Sequence, residues 1–288
     1  MPSTPATPPT SEGVAVSLAS SFYGMYAHSG FMRSLHEADI YPAQIAGASA
    51  GALVALLCAQ GMRGVELEDF LMASGFRRGF WDWGAPFRLP GVLTSFFGSG
   101  TLSGKNMLRF LRRHLGEKRI EDFRHPRLQL AVSNLSTRQA LIVEEGDAVS
   151  FTIASLAIPG LFTQQSIGGE RWADGGIAQT VPFLHWLDDP DIHTIIIHRI
   201  DHEEGTEPIS KRPTLASGLA ESHYVITNRI HDLERRVAAA QGKRIIEVGT
   251  LTPHPRLFPN GMRPLFLERG RESGAEAARI FAETQTIA

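Results

Sequence analysis

Near its start the chain alternates short apolar runs with small-residue breaks and longer stretches of helical spacing. Val14 to Leu18 is an apolar run that breaks at Ser20, Ser21 and Gly24, and helical spacing follows from Met25 to Ala38. The same order returns at once. Gln44 to Gly47 reads as a short strand, Ala48 to Gly51 as a sharp turn, and Ala50 to Gln60 as an apolar helix stopped by Gly61. Two successive strand–helix units predict a parallel sheet.

Further along, residues 75–104 are rich in Gly, Phe, Trp and Pro and too irregular for one regular element. They are expected to form a loop region or lid over the site. The pattern then predicts a helix from Lys105 to Leu115, strands at Leu128–Ser133 and Gln139–Glu144, and a buried helix over Val149–Ala157 ended by Pro159 and Gly160. Ile195–Ile200 is a β-branched run suited to an interior strand. Helical spacing over Leu215–Ala240, a strand at Arg244–Val248 and a closing helix over Glu272–Thr284 complete the pattern, with no internal repeat.

Composition narrows the classes. Residues 1–13, dominated by Pro, Thr and Ser, cannot offset ordering entropy by apolar burial and read as a disordered tail, leaving 14–288 as one domain. A formal charge of −2 lacks the basic footprint that phosphate neutralisation requires, so nucleic acid is not an expected partner. Cys58, the single cysteine, excludes an internal disulfide and cysteine-rich metal clusters, and fits a reducing compartment. The N-terminus has neither the basic start nor the apolar stretch of a secretory signal, and no apolar run reaches the ~18 residues of a spanning helix. A cytoplasmic location is expected, with any membrane contact peripheral.

Gly47-Ala48-Ser49-Ala50-Gly51 matches G-x-S-x-G, the elbow that holds a serine in a strained strand-to-helix turn. By chance alone a chain of this length contains the bare pattern in roughly one case in ten. Here an apolar strand enters it and an apolar helix leaves it, the environment the motif requires. The helix start also points free N–H groups and its positive dipole end toward Ser49, which favours a developing oxyanion. The bland alternative is that Ser49 merely caps the helix.

The stretch SLASSFYGMYAHSGFMRSLHEADIYPAQIAGASAGALVALL resembles the glycine-rich loop and nucleophile elbow of the patatin-like phospholipase family. A second block, from Ala154-Ser155-Leu156-Ala157-Ile158-Pro159-Gly160 to Asp174-Gly175-Gly176, is similar to that family's approach to its D-G-G or D-G-A motif. The resemblance covers about residues 14–200. It implies an α/β fold, a three-layer α/β/α sandwich with a mostly parallel central sheet and the site at strand C-terminal ends. It also implies lipid ester hydrolysis with Ser49 as nucleophile, and Asp174, 125 positions further on, as its base. Neither a cofactor nor a metal is required, and no calcium loop of clustered acids is seen.

A carboxylate within hydrogen-bond reach can take the serine proton directly, and partial burial would raise its basicity. Gly175 and Gly176 would let the chain turn tightly and bring Asp174 close. Without the resemblance, an ordinary Asp-Gly turn explains the same residues. The oxyanion loop departs from the family, which carries three consecutive glycines, then a basic residue and another glycine. This chain has Ser20-Ser21-Phe22-Tyr23-Gly24-Met25, so the amides around Gly24 and Met25 are the expected oxyanion donors.

Two rivals remain at this point. One is a Ser-His-Asp esterase, for which His198, His202, His223, His231 and His254 lie late enough in the chain. The other is a lipid- or protein-binding relative that lost turnover through the altered loop. His28 resembles a family histidine with an assumed structural role. The HDLERR segment at 231–236 is expected on a solvated helix face, and Phe76, Phe80, Trp81 and Trp83 are expected in the core rather than on a lipid platform.

Overall fold

The first strand, β1 (Ser11–Leu18), begins at the serine before Glu12 and Gly13, and its apolar residues enter two separate cores. Val14, Val16 and Leu18 face one layer of helices while Ala15 faces the other side, the two-residue alternation of a strand covered on both faces. The computed structural model describes residues 11–93, 99–203, 215–254 and 261–285. Most of the expected N-terminal tail lies outside them, and Ser11 to Gly13 already belong to β1.

From β1 the chain runs through α1 (Met25–Glu37), β2 (Pro42–Ala48) and α2 (Ala50–Ala59), as the pattern predicts. It then forms α3 (Gly64–Met72), which the pattern does not predict, α4 (Ser74–Gly79) and α5 (Ala85–Leu93). The last two stand where a loop is expected. They are short, contain Gly or an internal Pro90, and lack a readable period. Next come β3 (Gly100–Leu102), α6 (Lys105–Leu115), β4 (Arg127–Asn134), β5 (Gln139–Val143) and α7 (Ala148–Ser155). The remainder is β6 (Gly160–Phe162), β7 (Gln165–Ile167), β8 (Glu170–Asp174), β9 (Thr194–His202), α8 (Leu215–Ala240), β10 (Arg244–Thr252) and α9 (Arg263–Gln285).

Among the described residues eight strands make the central sheet, in the order β10-β9-β1-β2-β4-β8-β7, with β5 paired to β4. The run from β10 to β4 is parallel throughout, and β5, β8 and β7 add antiparallel pairs at one side. The fold is therefore a mixed α/β sheet flanked by helices. Helices α1, α2, α7 and α9 bury one face, and Phe183 and Trp186, from the segment before β9, cover the other together with Ala238 of α8.

Helix α9 starts at Arg263 rather than Glu272, because its first half lies against α1. A Cβ on Gly30 would lie 2.1 Å from the Leu267 carbonyl, and one on Gly270 would lie 2.0 Å from that of Ala27. The two backbones meet without side chains between them, a contact that helical propensity cannot reveal. Beside that crossing, the nearly buried Glu68 of α3 accepts from Arg33 of α1 at 2.8 Å and from Arg271 Nε of α9 at 2.7 Å. The HDLERR segment lies on α8 with Asp232, Leu233, Arg235 and Arg236 exposed, as expected, and turns only His231 inward. His231 is buried, with Nε2 3.1 Å from Glu247 of β10, which Arg199 and Arg235 also approach.

Burial pushes the Glu68 carboxyl upward, but the bonds from Arg271 and Arg33 outweigh it and hold its pKa below the usual 4.5. A depressed carboxylate contributes stability above its unfolded pKa and loses it as pH falls through the folded value. Glu68→Ala should therefore cost about 2–3 kcal/mol in urea unfolding at pH 7. The gap from the parent should narrow below pH 4.5, and a constant gap would mean that the ion pairs contribute little.

Candidate active site

Three strands share β4 and thereby assemble the site. Residues 130 and 131 of β4 pair with β2 on one edge and β5 on the other, while 132 to 134 pair with β5 and β8. Strands β2 and β8 therefore occupy the same edge of β4, end to end. Ala48, the last residue of β2, pairs with Ala131, and Asp174, the last residue of β8, pairs with Val132. Ser49 leaves this junction as Asp174 reaches it.

Ser49 has φ of 52° and ψ of −120°, a conformation that side-chain-bearing residues rarely adopt. Its side chain makes no cap bond to α2, so the helix-cap alternative does not describe it. The surrounding glycines are required by close approach. A Cβ on Gly47 would lie 2.3 Å from the Gly51 backbone, and one on Gly51 would lie 2.1 Å from the Leu18 carbonyl. The strained amide is held by Ser155 at the end of α7: Ser49 N–H donates to Ser155 Oγ at 2.9 Å, and Ser155 donates to the Ala131 carbonyl at 2.7 Å.

Asp174 is 4% exposed. Its Oδ1 accepts from Gly176 N–H at 2.6 Å, and its carbonyl accepts from Ser133 Oγ at 2.8 Å. The Ser49 hydroxyl lies close enough to lower the carboxyl's pKa, without completing an aligned bond to Oδ2, which is buried. Burial dominates nonetheless and pushes Asp174 up to about 7, against the smaller lowering by Ser49 and Gly176. Gly175 and Gly176 allow the approach: a Cβ on either would lie 2.1 Å from the Ala131 carbonyl or the Ser20 hydroxyl, respectively.

Ser49 lines a cavity of about 460 Å³. Phe80, Leu102, Leu156, Leu161 and Phe162 make it apolar, and Ser21, Phe22, Tyr23 and Met25 bring the loop before α1 to its wall. Among the described residues no histidine lines it. Gly24 packs instead against Ser21 and Ile200, and its N–H is 3.4 Å from the Ser21 carbonyl. Tyr23 holds a left-handed φ of 61° without the freedom of glycine. Phe76 is buried and Phe80 partly so, but Trp81 and Trp83 are 56% and 80% exposed, contrary to their expected place in the core.

His28 and His198 lie fully buried behind the loop, engaged with each other. His28 Nε2–H donates to the Ala19 carbonyl at 2.8 Å, because a carbonyl can only accept. That leaves His28 Nδ1 to accept from His198 Nδ1–H at 2.8 Å, and His198 Nε2 to accept from Thr250 at 2.7 Å. Burial lowers His28 to about 4 and His198 well below its usual value, so both rings are neutral near pH 7. His198 therefore has no free nitrogen for Ser49. Ser155, Ser133 and this histidine pair carry no motif of their own. Ser155 falls within the block from Ala154 to Gly160 that resembles the family.

The model of the patatin-like phospholipase family matches residues 18–185. Uncharacterized NTE family proteins from Mycobacterium bovis and Mycobacterium tuberculosis are each 28% identical over 177 residues, covering 60% of this chain and 45% of the relative. The chain thus spans less than half the length of these relatives. VipD from Legionella pneumophila shares the fold at a TM-score of 0.54 and 14% identity, over 94% of this chain and 67% of its own.

Replacing Ser155 with alanine strands the buried Ser49 N–H without its acceptor. Such a loss costs about 1–3 kcal/mol in equilibrium unfolding. A change under ~0.5 kcal/mol would show that the elbow does not rely on Ser155.

Proposed function

The chain belongs to the patatin-like phospholipase family, and from that premise we propose that it hydrolyses lipid carboxylic esters through Ser49 and Asp174. The observation that carries the proposal is the approach of a buried carboxyl to a strained serine that lines an apolar cavity. Ser49 Oγ attacks the ester carbonyl while Asp174 takes its proton. Asp174 then returns the proton to the departing alcohol, leaving an acyl-enzyme. Water, deprotonated by Asp174 in turn, attacks the acyl carbonyl, and Asp174 passes that proton to the departing Ser49 Oγ, releasing the fatty acid and restoring both residues.

The negative charge on the tetrahedral oxygen needs backbone donors. Gly24 and Met25 are the candidates, and Met25 is favoured: it borders the cavity at the first turn of α1, where N–H groups have no helical acceptor. The cavity volume suits an acyl chain, whose transfer from water its apolar wall favours. A Ser-His-Asp arrangement finds no support in the position of His198, whose two ring nitrogens are both engaged.

Activity should rise with pH through about 7, since the base must be ionised and burial sets its pKa there. An aspartate with an ordinary pKa would leave the profile flat near pH 6.5, but this raised value falls where a histidine would titrate. Substitution, rather than pH alone, therefore separates the mechanisms. A fluorophosphonate probe should label Ser49, with labelling abolished in Ser49→Ala and slowed roughly 10²- to 10⁴-fold in Asp174→Asn. A folded parent that takes no label at Ser49 would overturn the hydrolase proposal and favour a binding role.

The same pKa has a consequence for stability. A carboxyl raised from 3.8 to about 7 favours the fold at low pH and loses that contribution as pH rises through 7. Asp174→Asn should therefore melt above the parent at pH 8 and lose that advantage near pH 4. Equal melting temperatures at pH 8 would show that burial does not strain the ionised carboxylate.

A further inference from the structure

Trp81, Trp83 and Phe87 are 56%, 80% and 87% exposed, and Leu89 is 43% exposed, all within one short segment. Clustered aromatic exposure of this kind marks a contact surface, because water penalises it. The segment is tied in place. Asp82 accepts from Gly84 N–H at 2.9 Å and Ser103 N–H at 2.7 Å and pairs with Arg88, which donates from Nε to the Thr101 carbonyl at 2.8 Å. Asn106 of α6 donates to the Trp81 carbonyl. The tryptophans are thus held outward by the polar bonds of their own backbone neighbours. Trp81 and Trp83 also line the cavity that holds Ser49, so the exposed face borders that cavity.

Charge identifies what this face meets. Between residues 73 and 116 the sequence carries seven Arg and Lys residues against one acid, Asp82, in a chain whose formal charge is −2. Lys105, Arg109 and Arg113 follow one another at four-residue spacing on the exposed side of α6, whose Met107, Leu111 and Leu115 enter the core. Arg77 and Arg78 are exposed on α4, one turn before Trp81, whose N–H donates to the Arg78 carbonyl at 3.0 Å. Arg109 bonds Asn106, which bonds the Trp81 carbonyl, so the basic and aromatic groups are continuous.

We propose that this face docks on an anionic phospholipid surface. Trp81, Trp83 and Phe87 enter the headgroup region, and the arginines and lysines of α4 and α6 meet the lipid phosphates and carboxylates. Docking in this way turns the cavity mouth toward the membrane, so that an acyl chain passes from bilayer to Ser49 without crossing water. That consequence rests on the lipid hydrolase proposal, whereas the docking itself can be measured without turnover.

The test uses the full chain with vesicles of three parts phosphatidylcholine to one part phosphatidylserine, and with pure phosphatidylcholine. Trp172 and Trp186 are buried, so quenching of tryptophan fluorescence by brominated acyl chains reports Trp81 and Trp83. Quenching and cosedimentation are expected with the anionic vesicles, weakening as salt rises from about 0.1 M to about 1 M. Arg109→Glu/Arg113→Glu should lower partitioning at least roughly twenty-five-fold, about five-fold for each positive charge lost. Phe87→Ser/Leu89→Ser should abolish deep quenching, while both variants keep the parent's hydrolysis of a short, water-soluble ester.

Equal binding to neutral and anionic vesicles, or undiminished binding by both variants, overturns the proposal. So does concentration-dependent dimerisation that Phe87→Ser/Leu89→Ser abolishes without any vesicle binding by the parent, because the face then belongs to a second copy. Fluorophosphonate labelling of Ser49 on the same preparation separates the two proposals. Labelling without vesicle binding sinks docking alone, and vesicle binding without labelling sinks hydrolysis alone.

Discussion

The edge of β4 is where the molecule's organisation is decided. Parallel β2 ends there on Ala131 and antiparallel β8 ends on Val132, so two segments far apart in sequence meet head to head in consecutive registers. The Ala131 carbonyl sits at that meeting, accepting from Ser155 and leaving no room for a side chain at residue 175. A one-residue slip of β8 would turn the Asp174 side chain to the opposite face of the sheet. The glycines at 47, 51, 175 and 176 follow from the same crowding, because each takes a position where a Cβ would strike backbone or the Ser20 hydroxyl.

Burial at this junction sets the electrostatics. Water is largely excluded from Asp174, so its ionised form is disfavoured and its pKa moves to about 7, giving it a basicity that a solvated aspartate lacks. Behind the loop that precedes α1 the same exclusion of water has the opposite effect on bases: His28 and His198 become neutral and act as a directional pair of hydrogen bonds. Through His28 that pair anchors the Ala19 carbonyl, immediately before Ser20, Ser21 and Phe22. The loop's shape is thus supported from beneath by side chains.

The polar and apolar surfaces also divide between regions. The crossing of α1 and α9 is closed by glycine contacts and by Glu68 with its two arginines, and forms part of the rigid frame. The segment from α4 to α6 presents aromatic rings and positive charge outward around the cavity, with Asp82 tying it to the frame. Among the described residues no helix is long and apolar enough to cross a membrane.

The sequence by itself determined the repeated strand–helix units, the elbow around Ser49 and the residue types at 174 to 176. These depend on local periodicity and on backbone geometry that only glycine tolerates. Helix α6 was equally legible, because its apolar stripe and its charges fall on opposite faces. Only the tertiary structure decided the rest. Helices α4 and α5 form where short, Gly- and Pro-containing segments lack a period, and α9 begins early because α1 lies against it. The exposure of Trp81 and Trp83 reversed the expectation drawn from residue type, since burial depends on which neighbours arrive and not on hydrophobicity alone. The meeting of Ser49 with Asp174 was suggested by resemblance, yet their geometry came from strand register, a long-range property that no local pattern encodes.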